Sequence, residues 1–155
     1  MTSLRHGENG GVVGVDMISA GLIEVDDSGA HLVGGREKRS GRIVFPLPQG
    51  TSGDDFEPIR LSSTGRLWSW TVQRFRPKSP PYTGSNGGGD FVPYAVGYVE
   101  LPGEIIVESR LIVDDFSVLR IGLQMKLVVE RFTRMADLEP VLTYAFSPAE
   151  SEQVP

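Results

Sequence analysis

Between Glu104 and Val113 the chain alternates residue by residue. Ile105, Val107, Ser109, Leu111 and Val113 fall on one side, Glu108 and Arg110 on the other. A period of two belongs to a β-strand with one buried and one wet face, and no helix accommodates it. Met125, Leu127 and Val129 repeat the beat, which places all three inward on a strand over Met125–Arg131. Leu67–Phe75 and Tyr94–Leu101 are rich in the β-branched and aromatic residues that strands favour, and Leu142–Phe146 closes the series. Pro102-Gly103 is a tight-turn pair, with φ fixed at Pro and free to be positive at Gly. Asp114 to Leu119 offers acidic N-caps and ends before Gly122, which predicts one or two helical turns. The order β-β-β, short helix, β-β is that of an OB barrel, whose closure removes the exposed edges of an open sheet. The chain is therefore read as all-β, a five-stranded OB-fold barrel with a short helix, preceded by a small hairpin region.

The first third is less regular, as 19 Gly and 11 Pro in 155 residues would suggest. Residues 1–20 lack periodicity and are read as a flexible N-terminal arm. Leu22–Val25 and His31–Val33 flank the turn-like Asp26-Asp27-Ser28-Gly29, which predicts a hairpin, with Gly34-Gly35 breaking it. Arg42–Phe45 is a short strand stopped by Pro46 and Pro48, and Gln49–Pro58 is a polar loop. The resulting division is an arm (1–20), a hairpin region (21–60), the barrel (61–148) and a flexible tail (149–155). Arg76–Pro93, with Pro80-Pro81 and Gly87-Gly88-Gly89, is long for a structureless connection and is the expected functional loop.

The chemistry the chain lacks is as informative. It has no cysteine, which removes disulfides, thiolate nucleophiles and thiolate zinc ligands. His6 and His31 have no partner at triad or ligand spacing, and no phosphate-loop, dinucleotide or nucleophile-elbow pattern occurs. Asp26-Asp27, Asp54-Asp55 and Asp114-Asp115 suit turns and caps better than a shared catalytic site. No run approaches the roughly 18 apolar residues of a membrane span, and Met1–Gly14 has no signal-like apolar stretch. These features give the expectation of a cytoplasmic protein that does not engage a membrane.

The net charge is −5, yet residues 36–78 hold nine Lys/Arg against four Asp/Glu. Residues 60–78 contain Arg60, Arg66, Arg74, Arg76 and Lys78 with no acid, interleaved with Trp68, Trp70 and Phe75 and followed by Tyr82. Aromatic and basic residues together on an OB face can stack bases and pair phosphates. The same rings could equally be core or a protein contact, so both readings stay open. The candidate contact residues are Arg66, Trp68, Trp70, Arg74, Arg76, Lys78, Tyr82, Phe91 and Tyr94; none is a candidate catalyst. A single-stranded nucleic-acid partner is disfavoured by the acidic total.

Several blocks carry a resemblance. Leu61–Val72, Pro93–Leu101, Leu119–Met125 and Ala145–Pro148 are similar, in order, to a bacterial and archaeal family that joins a rubredoxin-like zinc ribbon to an OB barrel. Its members associate with thiolase-like acyl-CoA enzymes. Where that family carries C-x-x-C-G before a Phe-Pro pair, this chain has Glu37, Ser40 and Gly41 before Phe45-Pro46. The resemblance thus implies a degenerate, metal-free ribbon hairpin and no zinc. It also implies a non-catalytic accessory subunit of a thiolase-like enzyme acting on acyl-CoA in lipid, steroid or aromatic metabolism, within a hetero-oligomer. A CoA thioester is a candidate ligand; if the chain binds it alone, Arg74, Arg76 and Lys78 are the expected contacts to its phosphates, with Phe91 or Tyr94 beside the acyl part. A stand-alone acyl-CoA binder is the alternative.

Overall fold

The structure is a computed structural model, in which residues 16–17, 21–75, 91–133 and 140–149 are described. Five strands make the barrel: β6 (Thr64–Gln73), β7 (Tyr94–Leu101), β8 (Ile105–Leu111), β9 (Gln124–Thr133) and β10 (Pro140–Pro148). β7 pairs antiparallel with β6 and β8. β10 runs parallel to β8 at Phe146↔Leu111 and antiparallel to β9, and β9 returns to β6 through Thr64↔Lys126 to Arg66↔Gln124. The order β6-β7-β8-β10-β9-β6 closes the sheet with OB connectivity. A two-residue strand, β1 (Asp16–Met17), pairs parallel with Val141 and Leu142 of β10.

The alternation of β8 holds as expected: Val107, Ser109 and Leu111 are buried, while Ile106, Glu108 and Arg110 are exposed. Leu67, Ala95, Val99, Leu101, Met125 and Phe146 complete the interior. β9 keeps the beat only at its start. Met125 is buried and Leu127 half-buried, but Val129 is exposed, contrary to the expected inward placement. At that point β9 pairs only with β10, past its pairing with β6, so no third strand covers it. Pro102-Gly103 turns as expected, with Gly103 at φ 72° and Glu104 N–H donating to Leu101 O at 3.0 Å.

Closing a small barrel forces backbones together, and two glycines make room. A Cβ at Gly97 would lie 2.7 Å from Ser69 O and 2.9 Å from Leu111 Cδ1. At Gly65 it would collide with Glu100 O. The expected helix is shorter than the sequence suggests, a single 3-10 turn at Phe116–Val118. Asp115 caps it by accepting from Ser117 N–H at 2.9 Å, which holds the Asp115 carboxyl below its ordinary range.

Ahead of the barrel, β2 (Ile23–Asp26), β3 (Gly29–Glu37), β4 (Ile43–Val44) and β5 (Phe56–Arg60) form a second sheet with β3 as its hub. The hairpin at Asp26–Gly29 is as expected, but two expectations need correction. Gly34-Gly35 does not break the chain; both lie inside β3, opposite Val44 in β4 and Pro58 and Ile59 in β5. Their lack of side chains admits close neighbours, since a Cβ at Gly34 would sit 2.8 Å from Val44 O. Gln49–Pro58 is not all loop. It holds a 3-10 turn at Gly50–Gly53 and the first part of β5, where Pro58 is tolerated on a strand paired to β3. Ile23, Leu32 and Leu61 join the barrel residues in one core, and Phe45 stacks edge-on to Tyr144 of β10 at 5.6 Å. Tyr144 donates to Glu108 O at 3.0 Å, and burial raises its phenol above the ordinary range.

Because the space at Gly97 is bounded by a backbone carbonyl, Gly97→Ala is expected to cost about 1–3 kcal/mol of stability. Denaturant unfolding of the two proteins measures it, and an unchanged midpoint contradicts the close-approach argument.

Candidate functional site

β6 carries a bulge: Leu67 pairs with Val99 but Ser69 pairs with Tyr98, so Trp68 is the extra residue. A bulge re-aims its side chain and sharpens the local twist. Trp68 is 54% exposed, whereas Trp70, 39% exposed, pairs with Gly97, whose Cβ position points at the core residues Leu67 and Leu111, so the two rings lie on opposite sides of the strand. Tyr98 of β7, 44% exposed, meets Trp68 edge-on at 6.3 Å, an aromatic pairing worth about 0.5–1.5 kcal/mol beyond burial. Gly122 N–H donates to Leu67 O at 2.8 Å and Leu67 N–H to Leu123 O at 2.9 Å, which sets Ile121, 68% exposed, beside the start of this face. Trp68 and Tyr98 thus form an exposed aromatic pair on the outer side of the sheet.

The remaining candidates separate from these. Arg66 is exposed on β6 opposite Glu100 and Gln124. Arg74 is exposed just after β6, and Phe75 is 81% exposed. Arg76, Lys78, Tyr82 and most of the expected functional loop lie outside the described residues. Phe91 and Tyr94 are brought together, edge-on at 5.9 Å, at the start of β7. There Arg110, which sequence reasoning passed over, lies 5.5 Å over the Tyr94 ring. Its Nη1 is 3.7 Å from Glu130 Oε1 of β9. An open groove of about 460 Å³ runs between these elements, walled by Val92, Leu111, Val113 and Phe116. Tyr98, Arg110 and Glu130 are single residues on alternating strands, and only the sheet pairing draws them to the candidates.

At the knuckle where the resemblance places cysteines, Ser40 donates to the Glu37 carboxylate, Arg42 Nε stands 3.6 Å from it, and Gly41 takes φ 75°. Lys38 N–H donates to Asp55 O at 2.9 Å and its Nζ to Asp54 O at 2.8 Å, tying the two loops together. These groups do not fit zinc, because a cation stands where a metal would need donors and Ser40 is engaged with Glu37. Among the described residues no three His, Asp or Glu side chains gather to hold a metal.

The densest polar cluster is also structural. Arg60 forks onto Glu24 at 2.6 and 3.2 Å and meets Asp26 Oδ2 at 2.6 Å. Ser28 Oγ lies 3.1 Å from His31 Nε2, but its hydroxyl and backbone N–H both donate to Asp26, closing the turn. Asp26 thus serves Ser28 rather than orienting His31, which is not the arrangement of a catalytic triad. Arg60 holds the Glu24 carboxyl below its ordinary range, and Ser28 does the same for Asp26.

Residues 59–130 match the family model described as ChsH2, C-terminal OB-fold domain. The chain is 27% identical, over 129 residues, to a DUF35 domain-containing scaffold protein of Methanocaldococcus jannaschii, covering 77% of this chain and 83% of that one. A solved structure titled Ltp2-ChsH2(DUF35) aldolase shares the fold, with a TM-score of 0.54 and 20% identity over 76% of this chain and 84% of that one. No helix among the described residues is long and apolar enough to cross a membrane.

A carboxylate held below its ordinary range stabilises the fold while it is ionised, and that contribution disappears as pH falls through the lowered value. Arg60→Leu is therefore expected to lower the melting temperature at pH 7, with the deficit shrinking below about pH 4 as Glu24 and Asp26 protonate. Thermal melts of both proteins from neutral to acid pH check this; a deficit that persists at low pH would assign the effect to packing instead.

Proposed function

We propose that the protein is a non-catalytic accessory subunit of a thiolase-like acyl-CoA enzyme, docking through the exposed aromatic face of β6 and β7. The observation that carries the reading is Trp68 with Tyr98, rings large enough to anchor a protein contact yet left outside a barrel whose own core is filled. Trp and Tyr are the residues that most often dominate binding energy at such contacts. On this reading bond chemistry falls to the partner. Similarity to a protein named a scaffold, and to the ChsH2 component of a structure titled an aldolase, supports a subunit that serves another enzyme. The choice of a thiolase-like partner acting on a CoA thioester rests on the sequence resemblance.

A second reading has one observation in its favour: Trp68 and Tyr98 lie exposed near Arg66 on an OB barrel, an arrangement that can stack bases. The net charge of −5 opposes it. Affinity for oligonucleotides falling steeply with salt would revive it.

Co-expression with the thiolase-like protein encoded beside it, followed by size-exclusion chromatography, is expected to give one co-eluting complex. Trp68→Ala with Tyr98→Ala should weaken it by well over tenfold, since anchor residues contribute about 2 kcal/mol or more each. Both rings are exposed, so the melting temperature of the isolated chain should hardly move. Co-elution unaffected by the double substitution would remove this face from the account.

A further inference from the structure

The two loops of the small sheet are joined by side chains where the zinc ribbon it resembles has a metal. The first loop closes on its own backbone: Gly41 N–H donates to Glu37 O and Glu37 N–H to Arg42 O, both at 2.8 Å. Arg42 N–H donates to Ser40 Oγ at 3.2 Å, and the Glu37 carboxylate is held by Ser40 and Arg42, so neither side chain is free as a ligand. Lys38 crosses to the second loop with two bonds, its N–H to Asp55 O at 2.9 Å and its Nζ to Asp54 O at 2.8 Å. A cation fixed at that junction repels a second one. Between the loops the filling is apolar. A Cβ at Gly35, a buried position of β3, would lie 2.9 Å from Leu47 Cδ1 and 3.3 Å from Phe56, so both side chains pack directly over that glycine. Leu61 covers Gly34 in the same way, at 3.1 Å. Through Leu61 and Ile59 this packing is continuous with the shared core.

We infer that the small sheet is a ribbon that folds without metal, its loops tied by Lys38 and its interior filled by Leu47 and Phe56 over Gly35. In a metal ribbon the binding free energy is folding free energy, and a chelator unfolds the domain. Here the closure comes from packing and hydrogen bonds that need no ion, so the stability of this chain is uncoupled from zinc supply. The inference uses neither Trp68 nor Tyr98, and it stands or falls apart from the accessory-subunit reading.

The test uses the full chain, purified without chelator. Elemental mass spectrometry should find no stoichiometric zinc, and the urea midpoint should be the same with EDTA, with added zinc chloride and with neither. Phe56→Ala should lower the melting temperature by about 4 °C or more, through loss of a half-buried ring. Lys38→Met should speed amide hydrogen exchange at positions 38 and 41 severalfold while leaving β7 unchanged, and it carries the test if Phe56→Ala fails to fold. One bound zinc per chain, a midpoint lowered by EDTA or raised by zinc, a melting temperature unmoved by Phe56→Ala, or exchange unmoved by Lys38→Met would overturn the inference.

Discussion

Everything in this molecule depends on β9 reaching both of its neighbours. It pairs with β10 along its length and with β6 through three residues near its start, and those three convert an open sheet into a barrel. The closure is tight. Gly65, opposite Met125, sits against Glu100 O, and Gly97 lies under Ser69 O, so larger residues at either place would push the strands apart. What closure gives in return is a barrel interior filled by Leu67, Val99, Leu101, Met125 and Phe146. Side chains that point outward from the same strands are then free for other uses, and Trp68 and Tyr98 are among them.

The small sheet leans on that barrel rather than standing alone. Leu32 and Leu61 are buried in the same core as the barrel residues, and Phe45 meets Tyr144 across the junction. A short four-stranded sheet with few large apolar residues of its own gains its burial from this contact. Its knuckle is held by Ser40, Glu37 and Arg42, and its loops by Lys38 bonded to two carbonyls. Such contacts close loops locally, where a metal would do so by coordination.

The strands of the barrel were legible because their pattern and their environment agree. β7 and β8 alternate where each has a covered and a wet face, and Pro102-Gly103 marks the turn between them. The pattern was misleading wherever tertiary pairing overrode it. Gly34-Gly35 reads as a break because glycine weakens strands, but here close approach to Val44 makes it the residue that fits. Phe56–Arg60 reads as loop because Pro58 interrupts it, and it is a strand through pairing with β3. Val129 continues an inward beat beyond the point where β6 covers β9. At the site, the tryptophans were visible but not their side of the sheet, since a one-residue bulge at Trp68 shifts the register without any local sign. Arg110 and Glu130 could not be paired from sequence, because their meeting depends on how β8 and β9 are arranged in the closed sheet.

In the proposed reading, the outward rings Trp68 and Tyr98 are the contact for another protein. Hydroxyl-radical footprinting of Trp68 and Tyr98, in the chain alone and in the presence of the thiolase-like protein proposed as its partner, tests that reading most directly. The account predicts that both rings are oxidised readily in the isolated chain and lose most of that reactivity in the complex. Equal oxidation in both states, with the complex shown to be intact, would contradict it.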